Sequence, residues 1–199
     1  MKKTRLDEMK EQIALKFDKE EGDRIIRSIE EEYNLLCRDH LEEKDTMENH
    51  KKNNIFPVVA TCNALEKNGM TREEASELAQ KAFLNIMEPI AESIRKMMKI
   101  PGAYRLMPWL WKVLMPKLFS EESGFRFSFY PTSGKQVKFD MLQCPYLKIC
   151  TELDCLDLAP VFCTTDDVCY GHMHPKLIWN RTKTLAKDGE SCDFDLYIP

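Results

Sequence analysis

Apolar residues along this chain recur at helical spacing up to about residue 100 and then at strand spacing beyond residue 124. Ile25, Ile26, Ile29, Leu35 and Leu36 stand at near-helical intervals among charged neighbours, as on a surface helix. The polar stretch from Glu42 to Asn54 reads as a helix end or a linker. From Ile55 to Lys67 an apolar run holding Pro57 predicts a buried helix, which Asn68-Gly69 terminates. Thr71-Arg-Glu-Glu74 is a capping box. It opens a helix through Ala75, Leu78, Ala82, Phe83 and Ile86 towards Met98, with Pro89 as a kink site.

The segment from Ile100 to Phe119 is apolar but interrupted by Pro101, Pro108 and Pro116, and reads as a proline-kinked helix on the sheet. Its Met107, Trp109, Trp111 and Met115 also suit the cap of an apolar pocket or contact with a membrane surface. Phe125-Arg-Phe-Ser-Phe-Tyr130 then alternates as a half-buried strand does. Pro131 to Gly134 supplies a turn, and Val137 to Met141 is the hairpin partner. Cys144 follows at the strand end, before Pro145. Residues 146–170 predict two short helices broken near Asp154 to Asp157, and Lys176 to Arg181 a third strand. After a turn at Lys187-Asp188-Gly189, Cys192 to Ile198 forms the last strand. The fold class is α+β: a helical N-terminal half packed on a small antiparallel sheet with inserted short helices. Residues 1–53 form a charged N-terminal helical arm and 54–199 the α+β domain.

Ten Phe, six Tyr, three Trp and eleven Met in 199 residues supply a core and exclude bulk disorder. A formal charge of −4 argues against nucleic acid as a partner. No apolar h-region follows the first charged residues, and no stretch approaches a transmembrane span, so the expected location is the cytoplasm, with reduced thiols. The N-terminal helices are a candidate dimerisation arm for a homo-oligomer.

Cysteine is distributed unevenly. Six of the eight (Cys144, Cys150, Cys155, Cys163, Cys169, Cys192) fall in the last 56 residues. Structural zinc sites favour knuckles with two to four residues between cysteines; no Cys-x2-Cys pair exists here, and Cys150-x4-Cys155 is borderline. A metal site is therefore the minor reading, although Cys169 with His172 could supply two ligands. A thiol at a strand end, such as Cys144, suits nucleophilic catalysis if His172, His174 or Arg181 lies near it. Free cysteines are also commonly small buried hydrophobes. Arg181 and Thr182 end one strand where Cys192 and Asp193 begin the next, so a hairpin brings all four together. Arg suits a carboxylate, Asp a proton and Cys a nucleophilic attack. The same four residues also suit an ordinary hairpin with a structural Arg–Asp pair.

Arg181-Thr-x-Thr-Leu-Ala-x-Asp188-Gly-x-x-Cys192-Asp-Phe194, preceded by Cys144-Pro-Tyr146 and Phe162-Cys163-x-x-Asp166, resembles the L-2-amino-thiazoline-4-carboxylic acid hydrolase family. The resemblance runs from about Phe125 to Ile198 and continues more weakly back to Ile55. It implies a bacterial, cofactor-free hydrolase domain over 54–199 that opens a small cyclic amidine amino acid to a carbamoyl-cysteine. On that basis Cys144, Asp166, Cys192 and Asp193 are candidate catalytic residues, with either a Cys nucleophile or an Asp-activated water. Arg181, which would hold the substrate carboxylate, and Thr182, Cys163 and His172 are candidates for binding the small-molecule substrate. Cys150, Cys155 and Cys169 lie outside the motif and read as buried thiols. The rival reading is a cysteine-rich metal- or ligand-binding sensor module without turnover.

Overall fold

A computed structural model describes residues 3–42, 44–187 and 189–199. Asp188, in the motif above, lies outside the described residues. The chain forms two compact units. The first runs to Ile86 and takes in Cys155–Val161, and the second comprises Met87–Asp154 and Phe162–Pro199.

In the first unit, helix α1 (Arg5–Ala14) begins with a reciprocal cap. The Asp7 amide donates to Thr4 Oγ1 at 3.2 Å, and the Thr4 amide donates to the Asp7 carboxylate at 3.0 Å. Helix α2 (Lys19–His40) is capped by Asp18, which accepts from the Glu21 amide at 2.9 Å. Ile25, Ile29 and Leu36 form its buried stripe, and α2 packs on α4 (Phe56–Lys67). The stretch expected as a helix end or linker is instead a short helix α3 (Glu48–His50) that widens into a π-turn at Lys51–Ile55 and runs into α4. Lys51 holds it by pairing with Asp45 and donating to the His40 carbonyl at 2.9 Å. Helix α5 (Arg72–Met98) starts at the expected capping box, with Glu74 accepting from Thr71 at 3.0 Å, and continues through Pro89.

The second unit holds the rest of α5 and helix α6 (Ala103–Leu118), which starts after Gly102 at φ +84° and runs unbroken through Pro108 and Pro116. The prolines therefore remove amide donors without ending the helix. Met107, Trp111 and Met115 are its buried stripe, and α6 packs on β2. Among the described residues no helix is long and apolar enough to cross a membrane.

Strands β1 (Arg126–Phe129) and β2 (Gln136–Gln143) form the expected hairpin. Helix α7 (Pro145–Glu152) follows Cys144, and helix α8 (Ala159–Tyr170) spans the boundary between the units. Strands β3 (Ile178–Asn180) and β4 (Cys192–Tyr197) complete an antiparallel sheet in the order β1-β2-β4-β3. The fold is α+β, as the sequence predicts. In β4, Cys192, Phe194 and Leu196 are buried while Asp193, Asp195 and Tyr197 are half-buried, the alternation of a strand covered on one face. Phe139 pairs with Phe194 across β2 and β4, their rings stacked at 4.8 Å. Trp111 touches the same cluster, 4.8 Å from Tyr170 and 5.3 Å from Trp179 between ring centres.

Candidate active site

The period of two along β4 assigns the C-terminal motif to two faces of the sheet. Cys192 and Phe194 point inward, towards the side where the Arg181 guanidinium lies 5.5 Å above the Phe194 ring. Asp193 points the other way. Its Oδ1 accepts from the amides of Thr182 at 2.9 Å and Lys183 at 2.7 Å, and its Oδ2 accepts from Thr182 Oγ1 at 2.6 Å. Burial pushes the Asp193 carboxyl up, but these donors together outweigh it and hold the group below its ordinary value. Thr182 and Asp193 therefore fasten the 181–191 loop to the start of β4.

On the inner face Arg181 is nearly sealed, with 3% of its side chain exposed. Its Nη1 donates to Asp166 Oδ2 at 3.1 Å, and its Nη2 donates to Asp167 Oδ2 at 2.6 Å and to the Cys163 carbonyl at 2.8 Å. The rings of Trp179 and Phe194 supply its apolar bed, and the Trp179 indole donates to Asp167 Oδ1 at 3.1 Å. Asp166 and Asp167 come from the last turns of α8. Gly171 ends that helix, and a Cβ there would stand 2.5 Å from the Asp167 carbonyl, so only glycine fits.

Asp166 keeps 33% of its side-chain surface open. Protein nevertheless surrounds the carboxyl closely, so burial pushes it up to about 7, against the pull of Arg181 and with a further push from Asp167. The result is a recessed carboxyl that solvent reaches and that is part ionised near neutrality. Such a group can take a proton and return it within one cycle.

The three motif thiols lie close enough to influence one another's ionisation. Burial pushes Cys144 up to about 12, against the pull of the Tyr146 and Leu147 amides at the start of α7, although its side chain closes no capping bond there. Burial pushes Cys163 up to about 11, with Arg181 and the neighbouring Thr184 hydroxyl pulling the other way. The buried Thr184 Oγ1 has no well-formed hydrogen-bond partner among the described residues, so its contact with the sulfur is a weak one. Burial raises Cys192 too, and its sulfur accepts from the Leu185 amide at 3.2 Å. The loop closes on the Thr184 carbonyl, which accepts from Gly189 at 3.0 Å, and a Cβ on Gly189 would meet that oxygen at 2.6 Å.

The structure thus brings Cys144, Cys163, Asp166, Arg181 and Cys192 together and turns Thr182 and Asp193 to the opposite face. His172 is exposed in the turn after α8. His174, two residues on, stacks on Tyr104 at 4.2 Å and accepts from the Lys176 amide. Cys150, Cys155 and Cys169 are buried. Among the described residues no three His, Cys, Asp or Glu side chains converge as a metal site would need. Asp167, Trp179 and Thr184 belong to the site and were missed in the sequence. The signal for Trp179 was its place two residues before Arg181, which gives both one face of an extended segment.

A model of the L-2-amino-thiazoline-4-carboxylic acid hydrolase family matches residues 48–196. The chain belongs to that family. The match starts well before the motif, at α3, and so includes the helices over which the sequence resemblance is weaker. It contains every residue of the inner-face site. Membership in the L-2-amino-thiazoline-4-carboxylic acid hydrolase family makes the chain a hydrolase by type. No curated protein and no solved structure matches it.

Proposed function

We propose that the protein opens a five-membered cyclic amidine amino acid of the 2-amino-thiazoline-4-carboxylate type by adding water, with Asp166 as the proton carrier. The observation that carries this reading is the Asp166 carboxyl itself, recessed, solvent-reachable and poised at about 7 beside Arg181. The ring's amidine carbon is electrophilic. Ionised Asp166 takes a proton from a water whose oxygen bonds to that carbon, giving a tetrahedral centre. The ring C–N bond then breaks, and its electron pair stays on nitrogen. One water is consumed: its oxygen becomes the carbamoyl oxygen, and Asp166 relays both its protons in turn to the departing nitrogen, the first as the tetrahedral centre forms and the second as the C–N bond breaks. The product is a carbamoyl-cysteine.

Arg181 acts in this reading on Asp166 and not on the substrate carboxylate, because its donors already meet Asp166, Asp167 and the Cys163 carbonyl. It is a positioning residue that keeps Asp166 ionisable near neutral pH. The thiols favour water over a covalent route, since Cys144 and Cys163 are pushed up to about 12 and about 11.

The test is turnover of 2-amino-thiazoline-4-carboxylate in water labelled with heavy oxygen. One label should appear in the carbamoyl group. Asp166→Asn should lower kcat by about 10²–10⁴-fold, while the double variant Cys144→Ala/Cys192→Ala should retain most of it. Full activity in Asp166→Asn would overturn the reading.

A further inference from the structure

Helix α6 is apolar on two sides. Met107, Trp111 and Met115, four residues apart, are buried. Leu106, Trp109 and Val113 lie on the opposite side by helical spacing, and Leu106 and Trp109 are 62% and 59% exposed. A helix apolar all round is ordinarily buried on all sides, and this one is not. Met97 and Ile100, just upstream, are exposed as well.

The charge around that face is of one sign. From Ser93 to Ser120 there are six Lys and Arg and no Asp or Glu, in a chain whose formal charge is −4. Arg95 and Lys96 pair back to Glu88 and Glu92. Lys99, Arg105, Lys112 and Lys117 are exposed and form no salt bridge among the described residues, and Arg105 donates to the Tyr104 hydroxyl at 3.2 Å. Arg105 also lines a cavity of about 520 Å³ together with Tyr104, Lys135, Pro175, Lys176, Ile198 and Pro199, so three cations face it. Apolar anchors including an exposed Trp, exposed cations beside them and a basic recess at the helix start match the layers of an anionic bilayer: acyl boundary, headgroup and phosphate.

We propose that the Leu106–Trp109–Val113 face of α6 seats the protein on an anionic phospholipid surface, with Arg105 and its cavity receiving a headgroup phosphate. The helix lies along the interface and does not span it. The area is outside the hydrolytic site, so the two functions are separable by mutation.

The experiment is co-sedimentation of the full chain with phosphatidylcholine vesicles, with and without phosphatidylserine, at low and high salt. The full chain should sediment with phosphatidylserine vesicles at low salt, stay in solution with phosphatidylcholine alone, and be released by salt. Lys112→Gln and Lys117→Gln should each weaken binding about fivefold, and Trp109→Glu should abolish it with the far-ultraviolet circular dichroism unchanged. A blue shift of tryptophan emission on binding should disappear in Trp109→Phe. Failure of the full chain to sediment with phosphatidylserine vesicles would overturn the proposal, as would lysine variants that bind like the parent. So would a parent dimer that Trp109→Glu dissociates while neither protein binds vesicles, since the face would then be an interface between two copies.

Discussion

The Arg181 guanidinium donates to the Asp166 carboxylate at 3.1 Å and is itself shut off from solvent. A buried cation beside a recessed acid settles how easily that acid ionises, because Coulomb attraction weakens little with so few screening waters. Removing the cation leaves Asp166 with burial and Asp167 alone, both of which push its pKa up.

Arg181→Met should therefore move the acidic limb of the kcat/KM–pH profile to higher pH, with about tenfold less activity at neutral pH for each unit moved. Arg181→Lys should recover part of the loss, since a point charge replaces the fork but not its second bond. Stability should fall by about 1–3 kcal/mol, below the range for breaking a fully buried ion pair because both carboxylates keep access to water.

Asp166 also makes stability depend on pH. Its folded-state value of about 7 lies above the ordinary 3.8, so between those values the folded chain binds more protons than the unfolded one. Below 3.8 the group contributes nothing, and as pH rises towards 7 it progressively destabilises the fold. The Tm of Asp166→Asn, measured from pH 4 to 8, should gain on that of the parent through this window and then keep a constant difference from it.

Asp193→Ala should behave as a stability variant. It removes three hydrogen bonds that pin Thr182 and Lys183. The expected cost is about 1–3 kcal/mol, or about 2–4 °C of Tm for each kcal/mol in a chain of this size. The kcat of the folded fraction should change less than about fivefold, against the far larger loss in Asp166→Asn. Thr182→Val should reproduce a smaller version of the same loss.

Alkylation by iodoacetamide gives an independent check on the thiols. With Cys144 pushed up to about 12, only about 10⁻⁵ of it is thiolate at pH 7. Labelling followed by mass mapping should show Cys144 and Cys163 reacting more slowly than a free cysteine up to about pH 9. A motif cysteine that reacts rapidly at pH 7 would show an activated thiolate and favour covalent attack.

Several parts of this molecule were legible because they depend on neighbours in sequence. The Thr71–Glu74 cap, the alternation at 125–130 and the strand end at Cys144 each follow from local spacing. Helix α6 was harder to read, because prolines at 108 and 116 signal interruption while packing of Met107, Trp111 and Met115 holds the helix continuous. The gathering of Arg181, Thr182, Cys192 and Asp193 was foreseen, but not its division between the two faces of the sheet. Strand period alone dictates that division once β4 is known to start at Cys192. The partner of Arg181 was not legible, because Asp166 and Asp167 lie 15 and 14 residues before it, across the end of α8, the turn after it and β3.

The strand order gives the sheet a temporal constraint. Strand β4 is the last in the chain, yet it lies between β2 and β3. During synthesis, the β1–β2 hairpin and the β3 segment must both wait with open edges until Cys192–Tyr197 emerges from the ribosome. A nascent chain stalled before Cys192 would therefore present two unpaired strand edges and exposed aromatic surface to other chains, which makes it a natural client for chaperones that shield such edges.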